Sequence, residues 1–333
     1  MKSDNIKQIM GLWDSNRSQI CLGGLVLLSA MLKAKALLQN ASIEGICFIG
    51  NDFDIDDDKV VKMTKADCEQ SVLFSALLNF EGIESCYRAR TQYVVEEFAH
   101  DNTEWSFFPT ICDLNSNVFH HGMYESTLFL QQFFREHKFV PNFKMDTGPV
   151  KWAIDLIDEC ILPSLPVVVH LKNNLLQKNC SNARFDEWEG FFKMCIGAYD
   201  VKFIVIGNEE IDRSIADLSN VLVTNRMRAN LSQELALIEI AYAFIGMSSG
   251  PCNVAICSDI PYIIYKNPSH HAEAMILELG NNEGFPFATP YQKFLRMFES
   301  GENLFSNFNH ILDNYKREEW KSRISYVDEK CRR

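Results

Sequence analysis

One stretch of the chain leaves little freedom of fold: residues 165–265, where short, continuously apolar segments alternate with helical ones. Leu165–Leu171, Val201–Ile206, Val221–Val223, Ala243–Gly246 and Pro261–Tyr265 read as strands. Between them, Trp188–Tyr199, Asp212–Leu218, Leu231–Tyr242 and a segment opening at Pro251–Cys257 read as helices. Strands without polar alternation are buried on both faces, and a helix between each pair makes the crossover of a parallel sheet. Such sheets bind ligands outside the carboxyl ends of their strands.

The first half carries the same pattern less clearly. Ile6–Trp13 and Ile43–Ile49 read as strands around an apolar helix, Ile20–Leu38, with Gly23-Gly24 in its first turns. Val72–Asn79 reads as a helix, and Tyr93–His100 and Val118–Lys138 as helical or mixed segments. Pro141–Gly148 is polar and turn-rich and reads as the connection between domains, with a helix over Val150–Ile161 beyond it. The expected division is 1–148, 149–300 and a C-terminal helical segment, 301–333. A length of 333 residues suits about two domains of ~150 residues.

Composition sets limits on function. The net charge of −12 argues against non-specific binding to nucleic acid, yet leaves room for one basic site for a small anion. The 11 cysteines form no CxxC pair, so they read as buried thiols of a reducing, cytoplasmic compartment. The apolar run Ile20–Leu32 is shorter than the ~18 residues of a spanning helix, and Asp4 and Asp14 before it do not suit a signal peptide. Asp52, Asp54 and Asp56 alternate as in a calcium loop. However, Asp57 and Met63 stand where such a loop needs Gly and Glu, so no metal site is expected. Kinase, serine hydrolase and nicotinamide-enzyme signatures are missing.

The sharpest motif is Ala243-Phe244-Ile245-Gly246-Met247-Ser248-Ser249-Gly250-Pro251-Cys252-Asn253. A strand ends in a small-residue turn with N-cap types and a proline suited to a first helical turn. The pattern predicts a helix N-terminus whose amides attract a phosphate; a plain strand-turn-helix with capping serines is the alternative. Ser248, Ser249, Gly250 and Asn253 are the candidate contacts.

This turn resembles that of the GT-B glycosyltransferases, most nearly the heptosyltransferase family, with Ser in place of the family's Asp and Asn in place of its His. The paired serine is also similar to the turn of GT-B fucosyltransferases. His170-Leu171-Lys172-Asn173 followed by Asn182-Ala183-Arg184-Phe185-Asp186-Glu187-Trp188 resembles the family's strand, basic residue and Trp-bearing helix. The resemblance implies Arg184, and secondarily Lys172, at the donor diphosphate; the alternative for Arg184 is a surface residue at a helix start, and for His170 a hydrogen-bonded strand residue. Val205-Ile206-Gly207-Asn208-Glu209-Glu210 and Thr224-Asn225-Arg226 are similar to the loops that hold the nucleoside, implying Asn208, Glu209, Thr224, Asn225 and Arg226.

The implied fold is GT-B: two Rossmann-like, doubly wound domains with parallel sheets facing across a cleft. The implied activity is transfer of a sugar from a nucleotide-diphosphate sugar to an acceptor hydroxyl, inverting and metal-independent, without a cofactor, in surface polysaccharide or glycoconjugate synthesis. The acceptor would be a glycan or glycoconjugate, with room for peripheral membrane contact. An inverting transfer needs a base for the acceptor proton. Asp14, after the first strand, is the first candidate, and His120 and His121 come next. A sugar-nucleotide epimerase of the same shape and a non-catalytic nucleotide-sugar binding protein are the alternatives.

Overall fold

The computed structural model describes residues 7–51, 59–115, 123–174 and 181–332. His120, His121, Cys180 and the acidic loop 52–58 lie outside them. Two compact units form, Met1–Phe143 and Lys144–Arg333.

Unit 1 runs β1 (Gln8–Asp14), α1 (Leu22–Gln39), β2 (Ser42–Ile49), β3 (Val61–Lys62), α2 (Lys65–Glu69), α3 (Val72–Leu77), β4 (Ser85–Ala89), α4 (Gln92–Asp101), β5 (Trp105–Phe108), α5 (Ile111–Asn115) and α6 (Leu128–His137). The strand order is β3-β4-β2-β1-β5. All pairs are parallel except the two-residue edge strand β3, which lies antiparallel on β4. The chain winds outward from β1 to β4, then returns to place β5 on the other side of β1. α1 is long and apolar enough to cross a membrane, but 67% of it is buried inside the unit. Gly24 explains part of that fit: a Cβ there would lie 2.5 Å from the Trp13 ring. Trp13 in turn stacks on Tyr124 with centroids 4.0 Å apart.

Unit 2 runs α7 (Thr147–Cys160), β6 (Leu165–His170), α8 (Phe185–Cys195), β7 (Val201–Ile206), α9 (Arg213–Ala216), β8 (Val221–Val223), α10 (Leu231–Ile240), β9 (Ala243–Met247), α11 (Cys252–Ile256), β10 (Tyr262–Tyr265), α12 (Ala272–Leu279), β11 (Gln292–Leu295), α13 (Gly301–Asn314) and α14 (Arg317–Arg332). The sheet is wholly parallel, in the order β11-β10-β9-β6-β7-β8. Read from β8, this is the doubly wound 3-2-1-4-5-6 arrangement, with its reversal between β6 and β9. β6 is buried at every position, as its unbroken apolar sequence requires. An aromatic cluster of Trp188, Phe191, Phe192, Phe203 and Phe308 joins α8 and α13 to the β7 side of the sheet.

Candidate functional site

The reversal between β6 and β9 leaves the ends of these two strands side by side with no connection crossing over them, which is where a doubly wound sheet opens a crevice. β6 ends on His170, and β9 leads into Ser248-Ser249-Gly250. The two strands approach closely because Gly246 opposes His170: a Cβ at Gly246 would lie 2.8 Å from the His170 carbonyl oxygen.

Ser249 Oγ lies 2.9 Å from His170 Nδ1 and 3.1 Å from the Met247 carbonyl. The carbonyl only accepts, whereas Nδ1 donates or accepts according to the tautomer of the ring, so the hydroxyl bridges the two. The other ring nitrogen, Nε2, faces Glu209 Oε1 at 3.4 Å. Burial pushes the Glu209 carboxyl up, but His170 and the backbone amides of Asn173 and Glu209 together outweigh burial and hold it below the ordinary range. Gly207 makes this contact possible. Its φ is +107°, and a Cβ there would sit 2.3 Å from Glu209 Oε2 and 3.1 Å from His170 Nε2.

Behind this chain lies a second buried carboxylate. Glu234 of α10 accepts from the Gly207 amide at 3.0 Å and from Thr224 Oγ1 at 2.6 Å. Burial raises its carboxyl above the ordinary value, the two donors acting in the opposite direction.

The serine turn is braced from within. The Ser248 amide donates to the Tyr265 carbonyl at 2.8 Å, and the Asn253 amide to the Gly250 carbonyl at 3.2 Å. The Ser249 amide lies 3.4 Å from Cys252 Sγ, whose thiol donates to the Ser249 carbonyl at 2.9 Å. Three amides of the expected cradle thus already have acceptors, and α11 spans only five residues, too few for a strong helix dipole. Side chains supply the positive charge instead. Lys266, at the end of β10 and only 7% exposed, brings Nζ to 3.3 Å from Ser248 Oγ. Lys172, just past β6, acts electrostatically on the same Cys252 and His270 as Lys266 does.

The other candidates of unit 2 lie as follows. Arg184 is the N-cap of α8; its amide donates to Glu299 Oε1 at 2.6 Å, and its half-exposed guanidinium meets the Glu299 carbonyl at 3.3 Å and Glu187 at 3.1 Å. Glu209 joins His170, as above. Thr224 is fully buried, its hydroxyl between Glu234 and the Val205 carbonyl. Arg226 pairs with Asp217 at 2.9 Å on the surface, and Asn208 and Asn225 are exposed. The structure therefore brings together Lys172, Ser248, Ser249, Asn253 and Glu209 around the ends of β6, β7 and β9, while the guanidinium of Arg184 rests on α8 and Glu299. His170 is the hydrogen-bonded strand residue given as its alternative reading, while Lys266 and His270, which lie beside the turn, were not among the candidates. A lysine directly after the apolar Tyr262–Tyr265 run was the available signal for Lys266.

In unit 1, Asp14 ends β1 next to β5, at that sheet's own reversal. It is 3% exposed. Its Oδ2 accepts from Gln92 Nε2 at 2.8 Å and lies 3.3 Å from Arg17 Nε; its Oδ1 accepts from the Asn16 amide at 3.1 Å. Tyr124 donates its hydroxyl to the Leu12 carbonyl at 2.9 Å and accepts from the Asp14 amide at 3.1 Å. The carboxylate is thus oriented from three sides. Among the described residues no group of three or more His, Cys, Asp or Glu is placed to hold a metal.

No protein-family model matches the chain, and no curated protein matches it. Solved structures do. ADP-heptose LPS heptosyltransferase II of E. coli is similar over 92% of this chain and 98% of its own, at TM-score 0.52 and 10% identity. A family 9 glycosyl transferase from Veillonella parvula is similar over 99% and 98%, at TM-score 0.48 and 12% identity. The likeness to heptosyltransferase II shows the fold: two α/β units with parallel sheets, the GT-B architecture that the resemblance of the serine turn implied.

Proposed function

We propose that this chain is a glycosyltransferase that moves a sugar from a nucleotide-diphosphate donor to an acceptor hydroxyl. The observation that carries the reading is the group at the reversal of the unit 2 sheet: a hydroxyl pair, Ser248 and Ser249, set between the ends of β6, β9 and β10 with Lys172 and Lys266 beside it. A chain with net charge −12 has gathered cations at the place where its fold receives ligands. Lysine ammonium groups and hydroxyls suit a diphosphate, whose leaving oxygen gains negative charge as the bond to the sugar breaks. The fold, shared with heptosyltransferase II of E. coli, supports the same reading.

In the proposed reaction the acceptor oxygen attacks the anomeric carbon, the bond from that carbon to the diphosphate oxygen breaks, and the electron pair leaves with the diphosphate. The acceptor proton passes to a carboxylate, for which Asp14 is the candidate. One displacement inverts the sugar. Lys172 and the serine turn hold the diphosphate, and Arg184 joins them by exchanging Glu187 for the phosphate. Asn208, Glu209, Asn225 and Arg226 are the proposed nucleoside contacts. With cations from the protein, the transfer needs no metal and no cofactor. A glycan or glycoconjugate acceptor, a role in surface polysaccharide synthesis and a cytoplasmic setting complete the proposal.

The test is calorimetric titration with ADP, GDP, UDP and the matching nucleosides, followed by a transfer and hydrolysis assay on nucleotide sugars. A diphosphate that binds at least ten times tighter than its nucleoside supports the reading; equal affinities refute a phosphate site.

A further inference from the structure

Beyond Lys266, the segment after β10 carries one group that the reaction above leaves unused, His270. Lys266 follows the last strand residue and is buried to more than nine-tenths, with Nζ on Ser248 Oγ. The chain then turns back at once. Asn267 Oδ1 accepts from both the amide and the hydroxyl of Ser269, and the His270 amide donates to the Asn267 carbonyl at 3.0 Å. His271 follows at φ +55°, a left-handed conformation that costs a non-glycine residue energy, and its ring stacks on that of His270 at 4.0 Å. The turn holds the His270 ring with Nδ1 buried and without a hydrogen-bond partner. A buried ring nitrogen left unsatisfied costs about 1–3 kcal/mol unless something fills the position.

We propose that Lys266 and His270, with Ser248, form a binding site for a diphosphate group at the ends of β9 and β10, and that His270 takes up a proton as the group binds. The inference deepens the reading above and rests on a phosphate at the serine turn. It adds His270 to the contacts of the turn and of Lys266, and with it a coupling to pH.

The charges facing His270 explain the coupling. Burial pulls the imidazole down most strongly, followed by Lys266, His271 and Lys172, and together they bring it to about 4 in the ligand-free protein. The ring is therefore neutral near pH 7. An anion between the two lysines cancels both of their contributions and offers an acceptor to a ring N–H. The burial and His271 contributions remain. The ring must then titrate at higher pH in the complex, and the proton comes from solvent. By linkage, anion affinity rises as pH falls toward the free ring's midpoint near 4.

The experiment uses the full chain and inorganic pyrophosphate, with ADP, GDP and UDP as parallel arms. Titration of the His270 C2 proton by nuclear magnetic resonance, assigned with His270→Gln, reads the ring directly. Saturating pyrophosphate is expected to raise its midpoint by at least one pH unit. Lys266→Met is expected to weaken pyrophosphate by roughly 10–150-fold, the worth of a charge-assisted hydrogen bond, and Lys266→Arg to stay within a few-fold of wild type. Circular dichroism checks that both variants fold; should Lys266→Met not fold, the His270 titration decides alone. An unmoved His270 midpoint at saturation overturns the proposal, as does wild-type affinity in a folded Lys266→Met. Nucleotides that bind with no dependence on Lys266 overturn this site and leave the donor reading resting on Lys172 and the serine turn alone. Failure of pyrophosphate and all three nucleotides to bind overturns both. Where the site holds, the ranking of pyrophosphate against the nucleotides identifies which of them is its natural source.

Discussion

Gly207→Ala isolates the joint on which the unit 2 site turns. Two costs can be worked out separately. The first is backbone: φ of +107° lies outside the left-handed region that other residues reach, at about 1–3 kcal/mol. The second is contact: the new Cβ would lie 2.3 Å from Glu209 Oε2, so the carboxylate must leave His170. A charge-assisted hydrogen bond is worth about 1.5–3 kcal/mol, and partial exposure of Glu209 places this one near the lower figure. The expected loss is about 2.5–4.5 kcal/mol. In a Glu209→Ala background the carboxylate contact is gone and the backbone cost and the 3.1 Å approach to His170 Nε2 remain, so the same substitution should cost about 1.5 kcal/mol less. Because the chain has two units, a single unfolding transition is not assured, and hydrogen exchange in β6, β7 and β9 under increasing urea is the assay. Equal losses in the two backgrounds would refute the contact argument. Losses below about 1 kcal/mol in both would refute the backbone argument. The pH profile adds a check of sign. Glu209 is depressed in the folded chain, so its contribution is complete above the ordinary glutamate range near 4.3 and fades as pH falls through the lower, folded value; Gly207→Ala should weaken this acid sensitivity.

Glu234 should behave oppositely. Its folded value is raised, so the stability linked to its proton is present at low pH and lost as pH rises through that value, and Glu234→Gln should flatten that slope. Glu234→Ala, which removes the acceptor of the Gly207 amide and one of the two acceptors of the Thr224 hydroxyl, is expected to cost about 1–3 kcal/mol in the same hydrogen-exchange assay; a cost like that of the Gln variant would show that the amide finds another partner. Asp14→Asn is expected to slow turnover ~100–10,000-fold with nucleotide affinity intact; wild-type turnover would exclude Asp14 as the base, and lost nucleotide affinity would remove the acceptor from unit 1. Arg184→Ala is expected to slow turnover ~100–1000-fold, and unchanged turnover would leave its guanidinium to Glu187 and Glu299 alone. Turnover should persist in EDTA; loss that Mg²⁺ or Mn²⁺ restores would overturn the metal-free reaction.

The parts of the fold legible in the sequence are those dictated by burial on both faces. Val201–Ile206 and Val221–Val223 form as read, and β6 and β9 differ from their expected spans by one residue. Ser85–Ala89, Trp105–Phe108 and Gln292–Leu295 were not read as strands. Each is short and carries a polar residue or lies in mixed surroundings, and each pairs with a strand distant in sequence, so no local period reveals it. The serine turn was legible as a turn, but the helix expected after it is five residues long, and Cys252 occupies the amide that a phosphate would have used. Which side chains meet was the hardest part to read. His170, Glu209 and Ser249 are tens of residues apart, and only the 3-2-1-4-5-6 winding makes them neighbours.

The thiol of Cys252 gives the serine turn a built-in clock. Burial pushes it up to about 11, and the side chain is enclosed by the backbone it bridges. Thiolate is the reactive form, so at neutral pH an alkylating reagent meets almost none of it while the turn is closed. Among the described residues Cys112 and Cys160 are the exposed cysteines and are modified ahead of it. The slow labelling of Cys252 that follows measures how often the 248–252 loop opens, making the frequency of that opening a property that can be timed chemically in the unmodified sequence, without a bound ligand.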